Sequence, residues 1–184
     1  MRLGFRRIDG RRVALGAVGL ACALSGCGGS SASSTSTPVV TLPAFKLASP
    51  VLPKTDVLPA QFACNPKIGV PPLKWGALPS NTADLALVVF FVQRGQVEAQ
   101  AALTGLKPTL RELKAGVIPH GAVIASNSKV ICPTKGIAAT YFVRLYALKA
   151  KAKLTSGADV NAVVNAISPL AVAVGSIEVH YKRA

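Results

Sequence analysis

The sequence predicts a β-sandwich, of class all-β to α+β, with short peripheral helices. Three observations favour this class. Apolar segments of strand length recur along the chain, the clearest helical pattern is short and lies late in the chain, and 13 prolines mostly separate these segments. Strands that come first and a helix that comes late argue for a sandwich, or for a sheet with peripheral helices.

Two segments are strong strand candidates. Residues 85–92 form a continuous apolar run, rich in β-branched and aromatic side chains, which predicts a strand buried on both faces. Residues 140–148 are the second strong candidate. Residues 177–181 alternate apolar and polar side chains, as a half-buried strand does. Weaker strands are expected at 45–51 and 122–125.

Two short helices are expected. Thr109 and Glu112 have capping-box spacing, in which the hydroxyl and the carboxylate accept hydrogen bonds from the first free N–H groups, and Gly116 would end this helix. Residues 159–167 place valine and isoleucine at helical spacing. Asp159 is the expected N-cap of this second helix.

Residues 1–26 are typical of a lipoprotein signal peptide. Five arginines precede an apolar run at 13–24 that matches a signal-peptide core and is short for a bilayer span. The tetrapeptide L-S-G-C that ends at Cys27 resembles the bacterial lipobox. We therefore expect lipid attachment at Cys27, palmitate included, and anchoring to the extracytoplasmic face of a bacterial cell membrane. The alternative is an ordinary secretory signal with Cys27 as an incidental thiol.

The rest of the chain is expected to form a tether and one domain. Small polar residues dominate 28–38 and cannot bury a core, so we expect the lipidated cysteine and a flexible tether at 27–44 and a folded domain at 45–184. The net charge is +14, and it falls to +10 without the expected signal peptide, which holds five arginines and one aspartate. In an exported protein this charge suits anionic lipid or wall polymers rather than nucleic acid, or it serves solubility alone.

Two cysteines lie in the expected domain, Cys64 and Cys132. Thiols of exported proteins usually oxidise, and two cysteines allow one intramolecular bridge. We expect that disulfide, and two free buried thiols are the alternative.

Motif fragments recur in order between residues 45 and 183. The most specific are P-P-L-K-W at 71–75, C-P-T-K-G at 132–136 and Y-F-V-R-L-Y-A-L at 141–148; weaker ones lie at 45–50, 58–64, 82–89 and 171–183. Together they resemble the phosphatidylethanolamine-binding protein family, also called Raf-kinase-inhibitor-like proteins. The resemblance implies a β-sandwich with short flanking helices, a small anion-binding pocket near one end, and both domain cysteines near that pocket.

The chain departs from the family pattern where the ionic groups of that pocket are expected. Phe91-Val92-Gln93 replaces the family's D-P-D, Gln100-Ala101 replaces its H-W pair, and Ala139-Thr140 replaces the histidine and arginine of G-x-x-H-R-Y. Charge-assisted hydrogen bonds are about twice as strong as neutral ones, so we expect weak or no anion binding in the family manner. The lining that the resemblance implies is Pro71, Pro72, Trp75, Phe91, Gln93, Gln100 and Tyr141.

This expected lining is mostly apolar, with two amides and one phenol, and suits a neutral or apolar small molecule or a lipid. We therefore expect a non-enzymatic binding module of the cell envelope. Two alternatives are a filled pocket without a ligand and a scaffold that binds or inhibits another envelope protein. An enzyme, a metal site and a bound cofactor are not expected, because no nucleophile with an adjacent base and no nucleotide-binding motif is recognisable, and the chain has only two histidines.

Overall fold

The computed structural model describes residues 41–52, 56–66, 70–93 and 95–184. The expected signal peptide, Cys27 and the tether up to residue 40 lie outside this part of the chain. The described residues form eight strands and one α-helix: β1 (Leu47–Ala48), β2 (Leu73–Trp75), β3 (Asp84–Gln93), β4 (Gln96–Leu106), β5 (Glu112–Leu113), β6 (Val123–Ile124), β7 (Ala138–Leu148), α1 (Val160–Ile167) and β8 (Ala171–Lys182). Single 3₁₀ turns occur at Ala60–Phe62 and Ser168–Leu170.

The strands form two antiparallel sheets. The large sheet has the order β6-β4-β3-β7-β8, and the small sheet has the order β1-β2-β5. In the large sheet, β3 is the central strand, paired with β4 on one side and with β7 on the other. This pairing brings the ends of three long strands together at one end of the sheet.

The large sheet is buried on both faces. On one face, Leu85, Leu87 and Val89 of β3 share a core cluster with Leu73 and Trp75 of the small sheet. On the other face, alternate residues of the same strand pack against α1. Because successive strand residues point to opposite faces, the continuous apolar run predicted at 85–92 serves both clusters. The predicted fold class, a β-sandwich with a short peripheral helix, is confirmed.

Helix α1 follows the predicted pattern. The Asp159 side chain caps it by accepting a hydrogen bond of 2.8 Å from the backbone N–H of Ala162. Val160, Val163 and Ile167 are its buried residues, and they cover one face of the large sheet.

The helix predicted from Thr109 and Glu112 is wrong. Glu112 and Leu113 form β5, which pairs with β2 so that Leu113 lies opposite Leu73. Leu113 is buried in the sandwich core, and this burial outweighs the weak local preference expressed by the capping-box spacing. Gly116 does not end a helix but lies in a turn, with φ of 71°.

Several strands differ in length from the predictions. Strand β1 covers only two residues of the segment 45–51, and β6 only two of the segment 122–125. Strand β8 begins at residue 171 rather than 177, because it pairs along almost the whole of β7. Pro43 and Ala44, expected in the tether, lie against β8: the Pro43 carbonyl accepts a hydrogen bond of 2.9 Å from the N–H of Val174.

Candidate ligand-binding site

A cavity of about 310 Å³ lies where the ends of β3, β4 and β7 meet. Strand pairing builds it, since Phe91 of β3 is paired with Glu98 of β4 on one side and with Tyr141 of β7 on the other. The segment between β6 and β7 completes the wall. We call this the β3–β4–β7 cavity; its lining residues are Phe91, Glu98, Ala99, Gln100, Asn127, Lys129, Cys132, Pro133, Thr134 and Tyr141.

Tyr141 lines this cavity and carries a buried hydroxyl. Its side chain is fully buried, and its ring centroid lies 5.2 Å from that of Phe91. The hydroxyl has no hydrogen-bond partner among the described residues. Burial raises the pKa of Tyr141 to about 12, because an apolar environment disfavours the phenolate. The hydroxyl is therefore protonated at neutral pH and free to donate.

Gln100 lines the same cavity and carries a buried acceptor. Its amide nitrogen donates to the Val130 carbonyl across 3.4 Å, while its Oε1 is buried and has no partner within the described part of the chain. Buried polar groups are normally satisfied by protein, water or ligand, and one left unpaired costs about 1–3 kcal/mol. Two residues of the lining thus carry a buried polar group without a partner among the described residues, one a donor and one an acceptor.

The charged groups of the lining balance each other. Glu98 and Lys129 contribute one group of each sign, and neither histidine nor arginine is present among the described lining residues. The described chain also contains no group of three histidine, cysteine or acidic side chains that could hold a metal ion. The balance of charge suits a ligand without net charge.

A disulfide borders the cavity. Cys64 and Cys132 are bonded, as predicted, and the bridge joins positions 68 residues apart. The backbone N–H of Cys64 also donates to the Ile131 carbonyl across 2.9 Å. Both bonds fix the start of the 132–136 motif, whose residues Cys132, Pro133 and Thr134 line the cavity.

The structure brings together three of the residues that the resemblance implied for the pocket: Phe91, Gln100 and Tyr141. Gln93 ends β3 at the same end of the sheet, but its side chain lies outside what the structure describes.

Pro71, Pro72 and Trp75 do not line the β3–β4–β7 cavity. Trp75 belongs to β2 of the small sheet and is buried in the sandwich core, and the Pro72 carbonyl accepts a hydrogen bond of 2.7 Å from Ser49. The P-P-L-K-W motif therefore forms part of the small sheet, because Leu73 and Trp75 both point into the core.

The lining is more polar than the expected set. The resemblance placed Cys132 near the pocket, and Cys132 lines the cavity. Sequence reasoning missed Glu98, Ala99, Asn127, Lys129, Pro133 and Thr134 as lining residues. The 132–136 motif could have indicated the last two, because it resembles a family loop. The segment around residue 129 carries no such signal: it reaches the cavity because the Lys129 N–H donates to the Gln100 carbonyl across 2.9 Å.

Comparison with known proteins identifies the fold. A sequence model of the family described as "Phosphatidylethanolamine-binding protein" matches residues 48–182. The chain belongs to this family. It is 31% identical over 195 aligned positions to "Putative lipoprotein LppC" of Mycobacterium tuberculosis H37Rv, an alignment that covers 91% of this chain and 96% of that protein. LppC of strain CDC 1551 is also 31% identical, with 95% of its length covered.

Two solved family structures share the fold of the described domain. A phosphatidylethanolamine-binding protein homologue, CT736 of Chlamydia trachomatis, superposes with a TM-score of 0.65 at 20% identity, covering 77% of this chain and 99% of its own. YbcL of E. coli, described as a new member of the mammalian family, superposes with a TM-score of 0.64 at 20% identity, covering 76% and 99%. At these identities the likeness establishes the fold alone.

No helix within the described residues is both long and apolar enough to cross a bilayer.

Proposed function

We propose that this family member is a lipid-anchored envelope protein whose domain binds a neutral small molecule without transforming it. The observation that carries the proposal is a pair of buried groups on two lining residues of the β3–β4–β7 cavity, the Tyr141 hydroxyl and Gln100 Oε1, which have no hydrogen-bond partner among the described residues. A neutral molecule with an acceptor next to a donor would satisfy both groups. The polar lining favours such a molecule over a wholly apolar one.

The charges of the cavity support the same choice of ligand. Lys129 is the one cation among the described lining residues, and the carboxylate of Glu98 lines the same cavity. Among the described lining residues, a phosphate-like anion would meet no guanidinium or imidazolium, and it would meet a carboxylate of its own sign. We therefore expect a neutral amide or alcohol to bind in preference to inorganic phosphate.

The test is a titration that is followed by NMR. N-methylacetamide carries one donor and one acceptor; it should shift the Gln100 side-chain amide signal, whereas inorganic phosphate should not. Tyr141→Phe should weaken this binding roughly two- to tenfold, the value of one ordinary hydrogen bond. Tyr146→Phe is the matched control, since Tyr146 lies on the same strand but packs against the α1 side of the sheet.

Unfolding measurements separate binding from folding in this experiment. Tyr141→Phe removes a buried hydroxyl that has no partner among the described residues, so the variant should be at least as stable as the wild type to urea. Equal binding by wild type and Tyr141→Phe, or phosphate binding tighter than amide binding, would overturn the proposal.

The anchor is tested separately. The relative named as a lipoprotein and the L-S-G-C tetrapeptide support lipid attachment at Cys27. In a bacterial host fed an alkyne-tagged palmitate, Cys27→Ser should lose the label and leave the membrane fraction. Cys22→Ser, a change within the expected signal peptide, should keep both. If the Cys27→Ser protein is still labelled and still bound to the membrane, lipid attachment at Cys27 is wrong.

A further inference from the structure

A second cavity, of about 200 Å³, opens between the two sheets. Its inner wall consists of Leu87 and Val89 of β3, Leu103 of β4 and Leu113 of β5, all of which belong to the sandwich core. We call it the inter-sheet cavity. It therefore gives access from the surface to the apolar interior.

The mouth of the inter-sheet cavity is also apolar. Val117, Ile118 and Ile124 line it with relative exposures of 53%, 53% and 46%, and the neighbouring Val123 is 62% exposed. Single exposed apolar side chains are ordinary, but contiguous ones that continue into a cavity are typical of a binding site. An apolar ligand at this position would cover the exposed side chains and fill the cavity behind them.

The charged groups of this cavity are cationic. Lys114 and Lys129 line it, both are exposed, and no acidic residue is present among its described lining residues. The nearby Glu112 lies 3.6 Å from Lys74 and does not line the cavity. A ligand that enters the cavity with an apolar chain therefore meets two lysine residues and no acidic residue among the described lining, which favours a negative head group.

We propose that the inter-sheet cavity binds a fatty acid, with the alkyl chain between the sheets and the carboxylate beside Lys114 and Lys129. The volume corresponds to about seven groups of the size of water, each about 30 Å³, and a methylene group is of similar size. The cavity thus holds the greater part of one medium-length chain and not the two chains of a phospholipid. Apart from Lys129, which lines both cavities, this site is separate from the β3–β4–β7 cavity, and it does not depend on the function proposed for that cavity.

Chain length provides the first test. Isothermal titration with hexanoate, octanoate and decanoate should show affinity rising about fourfold for each methylene that enters the cavity, and then levelling near eight carbons. Octanol should bind more weakly than octanoate, because it lacks the charge that faces the lysines. Affinity independent of chain length, or no binding of any of these acids, would overturn the proposal.

Charge reversal provides the second test. Lys114→Glu should weaken octanoate binding by roughly tenfold and abolish the preference for octanoate over octanol. Lys149→Glu makes the same charge change at an exposed lysine outside the cavity and should leave both properties unchanged. Lys114 is substituted rather than Lys129, because Lys129 also lines the β3–β4–β7 cavity. Equal octanoate affinity of the two variants would contradict the assigned carboxylate position.

The mouth is tested with exposed positions, where folding is not at risk. Ile118→Asp should weaken octanoate binding, and Val57→Asp, at a similarly exposed apolar residue elsewhere, should not. Two measurements test for other occupants of the mouth. Binding to phosphatidylglycerol vesicles tests for a membrane, and size-exclusion chromatography tests for a second copy of the chain. If vesicle binding or dimerisation requires Ile118 and octanoate does not bind, the fatty-acid site is wrong. The mouth would then be a membrane-binding surface or a self-association surface.

Discussion

Asp84 is a buried carboxylate at the start of β3, with only 4% of its surface exposed. Burial raises its pKa, since an environment poor in water disfavours the charged form. A hydrogen bond from the Leu85 backbone and the charge of Lys151 oppose this effect without cancelling it. The ionised form of Asp84 therefore costs the folded state free energy.

The pH dependence of stability follows from the sign of this shift. The pKa of Asp84 in the folded state lies above its value near 4 in the unfolded state. Below the unfolded value Asp84 is protonated in both states, so ionisation costs the folded state no free energy. The cost develops as pH rises through the unfolded and then the folded pKa. We expect Asp84→Asn to gain stability relative to wild type over this window and to keep the gain at higher pH. Urea unfolding at a series of pH values from 3 to 7 measures it.

The control for this prediction is Asp159→Asn. Asp159 is an exposed N-cap, and asparagine caps a helix about as well as aspartate. This variant should therefore lack the gain expected of Asp84→Asn. A constant difference between wild type and Asp84→Asn across the whole pH series would disprove the assigned cause.

At the scale of elements, β4 depends on a close approach to the loop before β6. Gly105, near the end of β4, has φ of 73°, and a Cβ built on it would lie 2.8 Å from the Gly121 carbonyl oxygen. Two separate constraints therefore require glycine here, the left-handed backbone and the absence of space for a side chain.

We expect Gly105→Ala to destabilise the domain by more than the roughly 1–2 kcal/mol that the left-handed conformation alone costs. Gly95, in the turn between β3 and β4, isolates that first cost, since its φ is 77° but nothing lies within 4 Å of its built Cβ. Gly95→Ala should therefore be the milder variant in chemical denaturation. If the two variants lose equal stability, the close approach to Gly121 is not a constraint.

At the scale of the whole molecule, the disulfide ties the segment before β2 to the segment before β7. It joins residues 68 positions apart, and a loop of that length stabilises the folded state by about 4 kcal/mol in the chain-entropy account. The double variant Cys64→Ser/Cys132→Ser should lose stability of this order, as measured by urea unfolding.

Reduction of the wild-type protein provides the matching control for the disulfide. Wild type unfolded in the presence of dithiothreitol should approach the stability of the double variant, and the double variant should not respond to the reductant. A double variant as stable as the oxidised wild type would mean that native packing, and not the bridge, holds the two segments together.

The family framework and the cavity lining follow different physical constraints. Alternating burial along β3 and β7 builds the large sheet, and its register alone sets Phe91 and Tyr141 side by side. Glu98 and Lys129 of the lining are exposed and free of this packing constraint. The core packing that holds the fold therefore does not by itself fix the polar groups of a site built on it.

The chain's local patterns determined much of this fold in advance. The apolar run of β3 indicated burial on both faces, and Asp159 with the helical spacing after it defined α1. Ordered motifs indicated the family, and the count of cysteines indicated the bridge. Through the motifs, the resemblance also indicated Phe91, Gln100 and Tyr141.

Other features were decided only by tertiary structure. Strand β4 is rich in alanine and glutamine, which are poor signals of a strand, and it forms because it pairs along β3. Glu112 and Leu113 became a strand rather than a helix because the core offered Leu113 a buried place opposite Leu73. Lys129 came to the cavity through a backbone hydrogen bond to a distant strand. A local pattern reports on neighbours in sequence, whereas these three outcomes depend on partners many residues away, which only the folded chain brings into contact.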